Sequence, residues 1–361
     1  MLWKIDRRRF LQGAAATTAL VTASGIRAAQ AAEPLKVGFV YVGPIGDYGW
    51  THGHDLGRKA VEKKFGDKVK TTYVESVAEG PDAERVIRQL AQQGHGLIFT
   101  TSFGYMEQTL RVAKQFPKVM FEHATGYKTA PNMSAYNSRF YEGRAILGHI
   151  GGKLTKTGKI GYVASVPIPE VVMGINATAI AARRVRPDAE VRVVWVNSWF
   201  DPAKESDAAK ALIDQGVDIM TQHTDSPAPL QVAEARGILG FGQASDMKQY
   251  APKAQLSAIL DIWAPHYIAR VQAVLDGTWK TQSTWEGFKE GALVMAPWGD
   301  AVPAELRKEA DAMVADTISG KFHAFTGPIK NQKGEVVVKA GERMSDGDLL
   351  KMDWYVEGVK A

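Results

Sequence analysis

Four short segments of this chain mix aromatic rings with carboxyl or hydroxyl groups: Gly46-Asp47-Tyr48-Gly49-Trp50-Thr51-His52, Ser102-Phe103-Gly104-Tyr105, Asn197-Ser198-Trp199-Phe200-Asp201-Pro202 and Thr224-Asp225-Ser226-Pro227. Indoles offer flat apolar faces and carboxyl groups accept hydrogen bonds, a combination suited to gripping a planar heteroaromatic ring by its faces and its edge. Trp50 and Trp199 are the candidate gripping pair, with Phe103, Tyr105, Asp47, Thr51 and Asp225 around them. Either indole alone is as compatible with an ordinary core position, but their matched places in two similar loops favour a shared cleft. Two later carboxyls join the set. Asp246 and Asp261 end apolar runs, and Asp261 interrupts Ala258 to Trp263, where burial without a donor or cation is costly. Each aspartate also has a plainer reading as a helix cap or turn residue, and Asp201 before Pro202 reads as a cap.

Other chemistries lack their signatures. His52 and His54 stand two apart in a glycine-rich turn with no third ligand at zinc spacing, so they read as solvent-facing or as supports behind the site. Gly43 to Gly49 lacks both the dinucleotide spacing and the Lys-Ser/Thr ending of a phosphate cradle. No Gly-x-Ser-x-Gly elbow is present. No metal or cofactor is expected, and the chain reads as a binder, not an enzyme.

The elements that position these loops alternate β-branched runs with amphipathic helices, which gives an α/β fold with parallel sheets covered on both faces. Lys36 to Val42 is a predicted strand, and Pro81 and Asp82 open a helix whose apolar stripe is Val86, Ile87, Leu90 and Ala91, ended by Gly94. Leu97 to Thr101 is the next buried strand. An internal repeat is more decisive. Lys36-Val37-Gly38-Phe39-Val40 is echoed by Lys159-Ile160-Gly161-Tyr162-Val163, and Val74, Ser76, Leu90, Gln93 and Gly94 by Val196, Ser198, Leu212, Gln215 and Gly216. Two doubly wound lobes of one architecture follow, joined by a hinge, with the ligand between the carboxyl ends of their strands. Gln255 to Leu260 reads as a strand of the second lobe, and Ala264 to Leu275 as a helix closed by Gly277 that crosses back to the first.

The amino terminus carries its own message. Asp6-Arg7-Arg8-Arg9-Phe10-Leu11, a weakly apolar stretch and Ala29-Gln30-Ala31 have the order of a twin-arginine (Tat) signal peptide, residues 1–31, with a cleavage triplet. That segment holds Lys4, Arg7, Arg8, Arg9 and Arg27 against Asp6, so its removal takes the formal charge from +5 to near +1. Such a balance gives no field to attract nucleic acid. The chain has no cysteine, so an oxidising compartment supplies no disulfides and no lipid can be attached through a thiol. A freely soluble periplasmic protein, without a lipid anchor and monomeric, is the expectation.

The chain resembles the basic membrane protein (Bmp) family of substrate-binding proteins for ABC importers, which includes purine-nucleoside receptors. The residues that carry the resemblance are Gly46-Asp47 with Trp50-Thr51, Thr155 to Gly161, Ser198-Trp199-Phe200-Asp201-Pro202, and the tail from Phe325-Thr326-Gly327-Pro328-Ile329 to Met352-Asp353-Trp354-Tyr355. It implies the type 1 periplasmic binding protein fold. The lobes would comprise 35–137 with about 263–285, and 138–262 with about 286–361. It also implies that Trp50 and Trp199 stand where the family stacks a base on phenylalanines, that Asp246 is a ribose-binding aspartate, and that the partner is a membrane ABC permease. Asp261 departs from the pattern, standing where nucleoside-binding members have a lysine, as does Thr51, which replaces an asparagine. A carboxylate accepts from an exocyclic amine or a ring N–H and cannot donate to a purine carbonyl, so an adenine-like base is favoured over inosine or guanosine. The competing readings are a receptor for a cationic small molecule in an aromatic and aspartate cage, and a periplasmic nucleoside hydrolase.

Overall fold

A computed structural model describes residues 33–361, so the twin-arginine segment and its cleavage triplet lie outside the described residues. The first part of the chain runs β1 (Leu35–Val40), α1 (Gly49–Phe65), β2 (Val69–Val74), α2 (Pro81–Gln92), β3 (Leu97–Thr100), α3 (Met106–Gln115), β4 (Met120–Ala124) and β5 (Met133–Ser138). The second runs α4 (Phe140–Leu154), β6 (Lys159–Ala164), α5 (Pro169–Val185), β7 (Glu190–Trp195), α6 (Pro202–Asp214), β8 (Ile219–His223), α7 (Ala228–Ala235), β9 (Leu239–Gly242) and β10 (Gln255–Asp261). Then follow α8 (Ala264–Leu275), β11 (Ser283–Glu286), β12 (Leu293–Met295), α9 (Ala304–Ile318), β13 (Ile329–Lys330), β14 (Val336–Val338), α10 (Asp346–Leu349) and β15 (Val359–Lys360).

Two sheets result, one per lobe. The first has the order β11-β5-β4-β3-β1-β2 and the second β12-β10-β9-β8-β6-β7-β15. Within these two sheets all pairings are parallel except that of β10 with β12, and β13 and β14 form a separate antiparallel pair. The internal repeat is realised as topology: β1 lies between β2 and β3 in one sheet as β6 lies between β7 and β8 in the other. Its matched glycines, Gly94 and Gly216, both follow a helix with positive φ, 81° and 89°, where a side chain would be strained.

Burial follows pattern. Parallel strands covered on both faces need continuous apolar runs, and β3 is buried at every residue. The predicted stripe of α2 is buried against one face of the first sheet, while Val37, Phe39 and Phe99 face Tyr267 of α8 on the other. In the second lobe α4 and α5 approach closely because Gly148 has no side chain: a Cβ there would stand 2.4 Å from the Thr178 carbonyl oxygen. The tail completes that lobe. Phe325, Ile329, Leu349, Met352 and Val356 enter its core, and Asn176 of α5 fastens it by donating to Trp354 O (2.8 Å) and accepting from Val356 N–H (3.0 Å). No helix among the described residues is long and apolar enough to cross a membrane.

Candidate functional site

Parallel sheets place their loops at the carboxyl ends of the strands, and the two sheets of this chain bring those ends together around a small cavity. From the first lobe it is lined by Val42 after β1, Trp50 in the first turn of α1, Ser102 and Phe103 after β3, and Thr125 after β4. Glu170 in the first turn of α5, Trp199 after β7, His223 at the end of β8, Asp225 beyond it and Gln243 after β9 line it from the second. The first group is apolar or neutral. The second carries the charge.

The lobes are closed on one another by hydrogen bonds whose partners lie far apart in sequence. The α1 amides do much of this: Gly49 N–H donates to Ser245 Oγ (2.6 Å) and Trp50 N–H to Asp225 Oδ1 (3.2 Å). A carboxyl group is favoured there by the unpaired amides and dipole of a helix start. Gly49 has φ +76°, and a Cβ on it would stand 2.7 Å from the Asp225 carbonyl oxygen, so this contact admits glycine alone. Across the cleft the Trp199 indole N–H donates to Glu79 Oε1 (3.1 Å), which also accepts from Ser102 Oγ and Gly104 N–H. At the rim Asp47 accepts from the Tyr250 hydroxyl and from Gln249 Nε2 (2.9 Å), and the tyrosine holds its carboxyl below the usual range.

Trp50 is anchored more deeply. Its indole N–H donates to Thr101 O (2.6 Å), and its ring packs edge to face on His54 and Trp263 at 4.3 and 5.4 Å between centroids. His54 is therefore not solvent-facing: it is fully buried behind Trp50, its Nδ1 2.5 Å from the Tyr267 hydroxyl. Burial drives its pKa well down, so the ring is neutral.

Behind the charged wall lies Arg144 of α4, fully buried, which donates to Gln243 Oε1 and, at 3.3 Å, to Thr221 Oγ1. His223 Nε2 lies 3.5 Å from Glu170 Oε1, while His223 Nδ1 and Glu170 Oε2 have no hydrogen-bond partner. Burial, helped by the charge of Glu205, raises the Asp225 carboxyl to about 7 against the pull of the Trp50 amide. Asp261, at the end of β10, is buried with both oxygens unpartnered, and desolvation and the Glu170 charge push it well up despite Arg144. One buried cation thus acts on two carboxyl groups, Asp261 and Glu170. Among the described residues no group of three or more His, Cys, Asp or Glu is arranged to hold a metal ion.

Two lobes closed over a cavity at their strand ends are the build of a solute receptor, and comparison with known proteins agrees. The family model described as ABC transporter substrate-binding protein PnrA-like (Bmp) matches residues 35–324. This chain belongs to the Bmp family. It is 60% identical over 332 residues to a purine-binding protein of Brucella abortus, covering 92% of this chain and 95% of that one. A putative ABC transporter glucose-binding protein of Haloferax volcanii is 37% identical over 91% of this chain and 81% of its own. Among solved structures, a solute-binding protein of an ABC transporter system from Aeropyrum pernix superposes with a TM-score of 0.68 at 17% identity, covering 89% of this chain and 98% of that chain. One from Conexibacter woesei gives 0.64 at 22% identity, covering 80% and 98%. At those identities the structures speak to the fold.

Within this Bmp chain the residues singled out from sequence are divided. Trp50, Phe103, Trp199 and Asp225 line the cavity together. Asp47 is at the rim. Thr51 is buried beside it, its Oγ1 accepting from Gly43 N–H (3.3 Å). Tyr105 is turned into the core of the first lobe, where its hydroxyl donates to Val77 O. Asp261 is behind the wall and does not line the closed cavity. Asp246 is exposed, accepting from Gln255 Nε2 (2.6 Å) and Lys248 N–H (3.0 Å). Glu79, Arg144, Glu170, His223 and Gln243 were not found from sequence. Only Glu170 had a signal: the repeat offset that carries Lys36 to Lys159 carries Asp47 to Glu170.

Proposed function

We propose that this ABC substrate-binding protein is the receptor for a purine base, adenine-like in its edge, which it holds in the inter-lobe cavity and delivers to a membrane permease. The observation that carries the reading is that Trp50 and Trp199 reach one cavity from opposite lobes while acidic and imidazole groups from the second lobe surround it. Aromatic walls favour a planar guest, and base stacking on aromatic side chains contributes roughly 1–3 kcal/mol per base. Asp246, the position at which the family would bind ribose, is outside the cavity and engaged with Gln255 and Lys248. The purine-binding relative supports the same class. A receptor of this kind releases its ligand unchanged. Export to the periplasm as a soluble monomer completes the proposal, on the strength of the twin-arginine leader.

The test is a thermal-shift and calorimetric comparison of adenine, adenosine, glucose and choline on the purified protein. Adenine at about 100-fold its dissociation constant should stabilise the fold by about 2.7 kcal/mol, a shift of several degrees. A response to glucose, the ligand named for the Haloferax relative, or to choline, with none to any purine, would replace the ligand class.

A further inference from the structure

Glu170 stands in the first turn of α5 and His223 packs on Phe140 at 5.6 Å between centroids, but neither contact satisfies their free polar atoms, and both residues line the cavity and are nine-tenths buried or more, at 9% and 5% exposure. Burial lowers the His223 pKa, so the imidazole is neutral and carries one proton. Nε2 faces the Glu170 carboxyl at 3.5 Å and is the nitrogen to hold that proton, which leaves Nδ1 a bare acceptor. Glu170 Oε2 is a second bare acceptor, since no donor reaches it. Beside them Gln243 is fixed in the opposite sense: Arg144 occupies its oxygen, so its amide nitrogen is the donor it has to offer. Buried acceptors without donors cost free energy that a ligand carrying N–H groups removes.

We infer that Glu170 and His223 are the specificity-determining pair of this receptor, reading the two hydrogens of the exocyclic amine of an amino-substituted free base and rejecting a ring that presents a carbonyl at the same edge. This rests on the reading that the cavity takes a purine base. A 6-amino purine supplies two hydrogens on its amine, and a ring nitrogen beside the amine can accept from Gln243. In the same pose a 6-oxo purine turns an oxygen toward two acceptors and its N1–H toward the Gln243 amide, itself a donor. The Arg144 terminal nitrogens, already donating to Gln243 and Thr221, do not meet it.

Titration calorimetry with adenine and with hypoxanthine, on the wild-type protein and on E170A, E170Q and H223F, tests the inference. Melting of each ligand-free variant serves as the folding control. Wild type should prefer adenine by about tenfold or more. E170A and H223F should each weaken adenine about tenfold or more and hypoxanthine by less than about threefold, so that the ratio collapses. E170Q keeps a carbonyl acceptor and should return adenine to within about threefold of wild type. A merely structural role would lower both ligands together and leave their ratio unchanged. Variants that leave the adenine to hypoxanthine ratio unchanged overturn the pair while leaving the purine reading intact. A wild-type protein that binds neither base overturns both.

Discussion

The two lobes of this protein share a topology and divide the work. At equivalent positions of the internal repeat, the loop after β3 offers the cavity Phe103 and the loop after β8 offers Asp225. The first lobe's remaining contributions, Val42, Trp50, Ser102 and Thr125, are uncharged. Those of the second, apart from Trp199, are Glu170, His223 and Gln243. One half supplies surfaces and the other supplies an edge. A duplicated scaffold therefore fixes where a ligand goes, while the side chains placed on each copy decide which ligand it is.

The difference is sharpest in the two indoles, and their removal should have unequal consequences. Trp50 is bonded to Thr101 and packed on His54 and Trp263, so Trp50→Ala should destabilise the fold by about 3 kcal/mol or more as well as remove binding, as read by denaturation. Trp199 is half-buried and bridged to Glu79, so Trp199→Ala should weaken adenine by about 1–3 kcal/mol in calorimetry with little change in melting temperature. Equal effects on stability would erase the distinction between a wall built into the core and one set at the cleft surface.

Closure is the next level. Gly49→Ala places a methyl group against Asp225 at positive φ and should weaken ligand by about 1–2 kcal/mol by holding the lobes apart, a change visible as a larger radius of gyration in scattering with adenine present. Glu79→Ala leaves the Trp199 indole without its acceptor across the cleft and should weaken adenine by about 1 kcal/mol. Tryptophan fluorescence of the ligand-bound form should shift with it. The smallest effect concerns pH. Asp225 is raised to about 7 in the fold, so it binds a proton that the unfolded chain releases near pH 4. Its contribution to ligand-free stability is full below about 4 and is lost as pH rises through about 7. Asp225→Asn, which keeps an oxygen for the Trp50 amide, should flatten that part of the melting profile. An unchanged slope would assign the dependence to Asp261, whose pKa is also raised.

How much of this was legible in sequence depends on the range of the contact. The fold was written twice in local patterns, Lys36 to Val40 and Lys159 to Val163, and those runs are the central strands β1 and β6. Trp50, Phe103, Trp199 and Asp225 stand just beyond strand ends, in segments whose composition points at a cleft. Tyr105 is two residues from Phe103 yet faces the core, because the 3-10 turn over Phe103–Tyr105 rotates the chain between them. Asp246 looked like a ligand by resemblance, but the side chain closes a local bond to Lys248, two residues on. Glu79 and His223 gave no sign, since a loop glutamate and a strand-end histidine acquire meaning only from partners more than 50 residues away, Trp199 and Glu170. Arg144 was hidden in an apolar helix for the same reason.

The most direct measurement is a crystal structure of the protein grown with adenine. The account predicts the ring in the inter-lobe cavity, with the Trp50 and Trp199 indoles against it from opposite lobes and its amine toward Glu170 and His223. A ring bound outside that cavity, or a cavity that takes up sugar in preference to base, would contradict it.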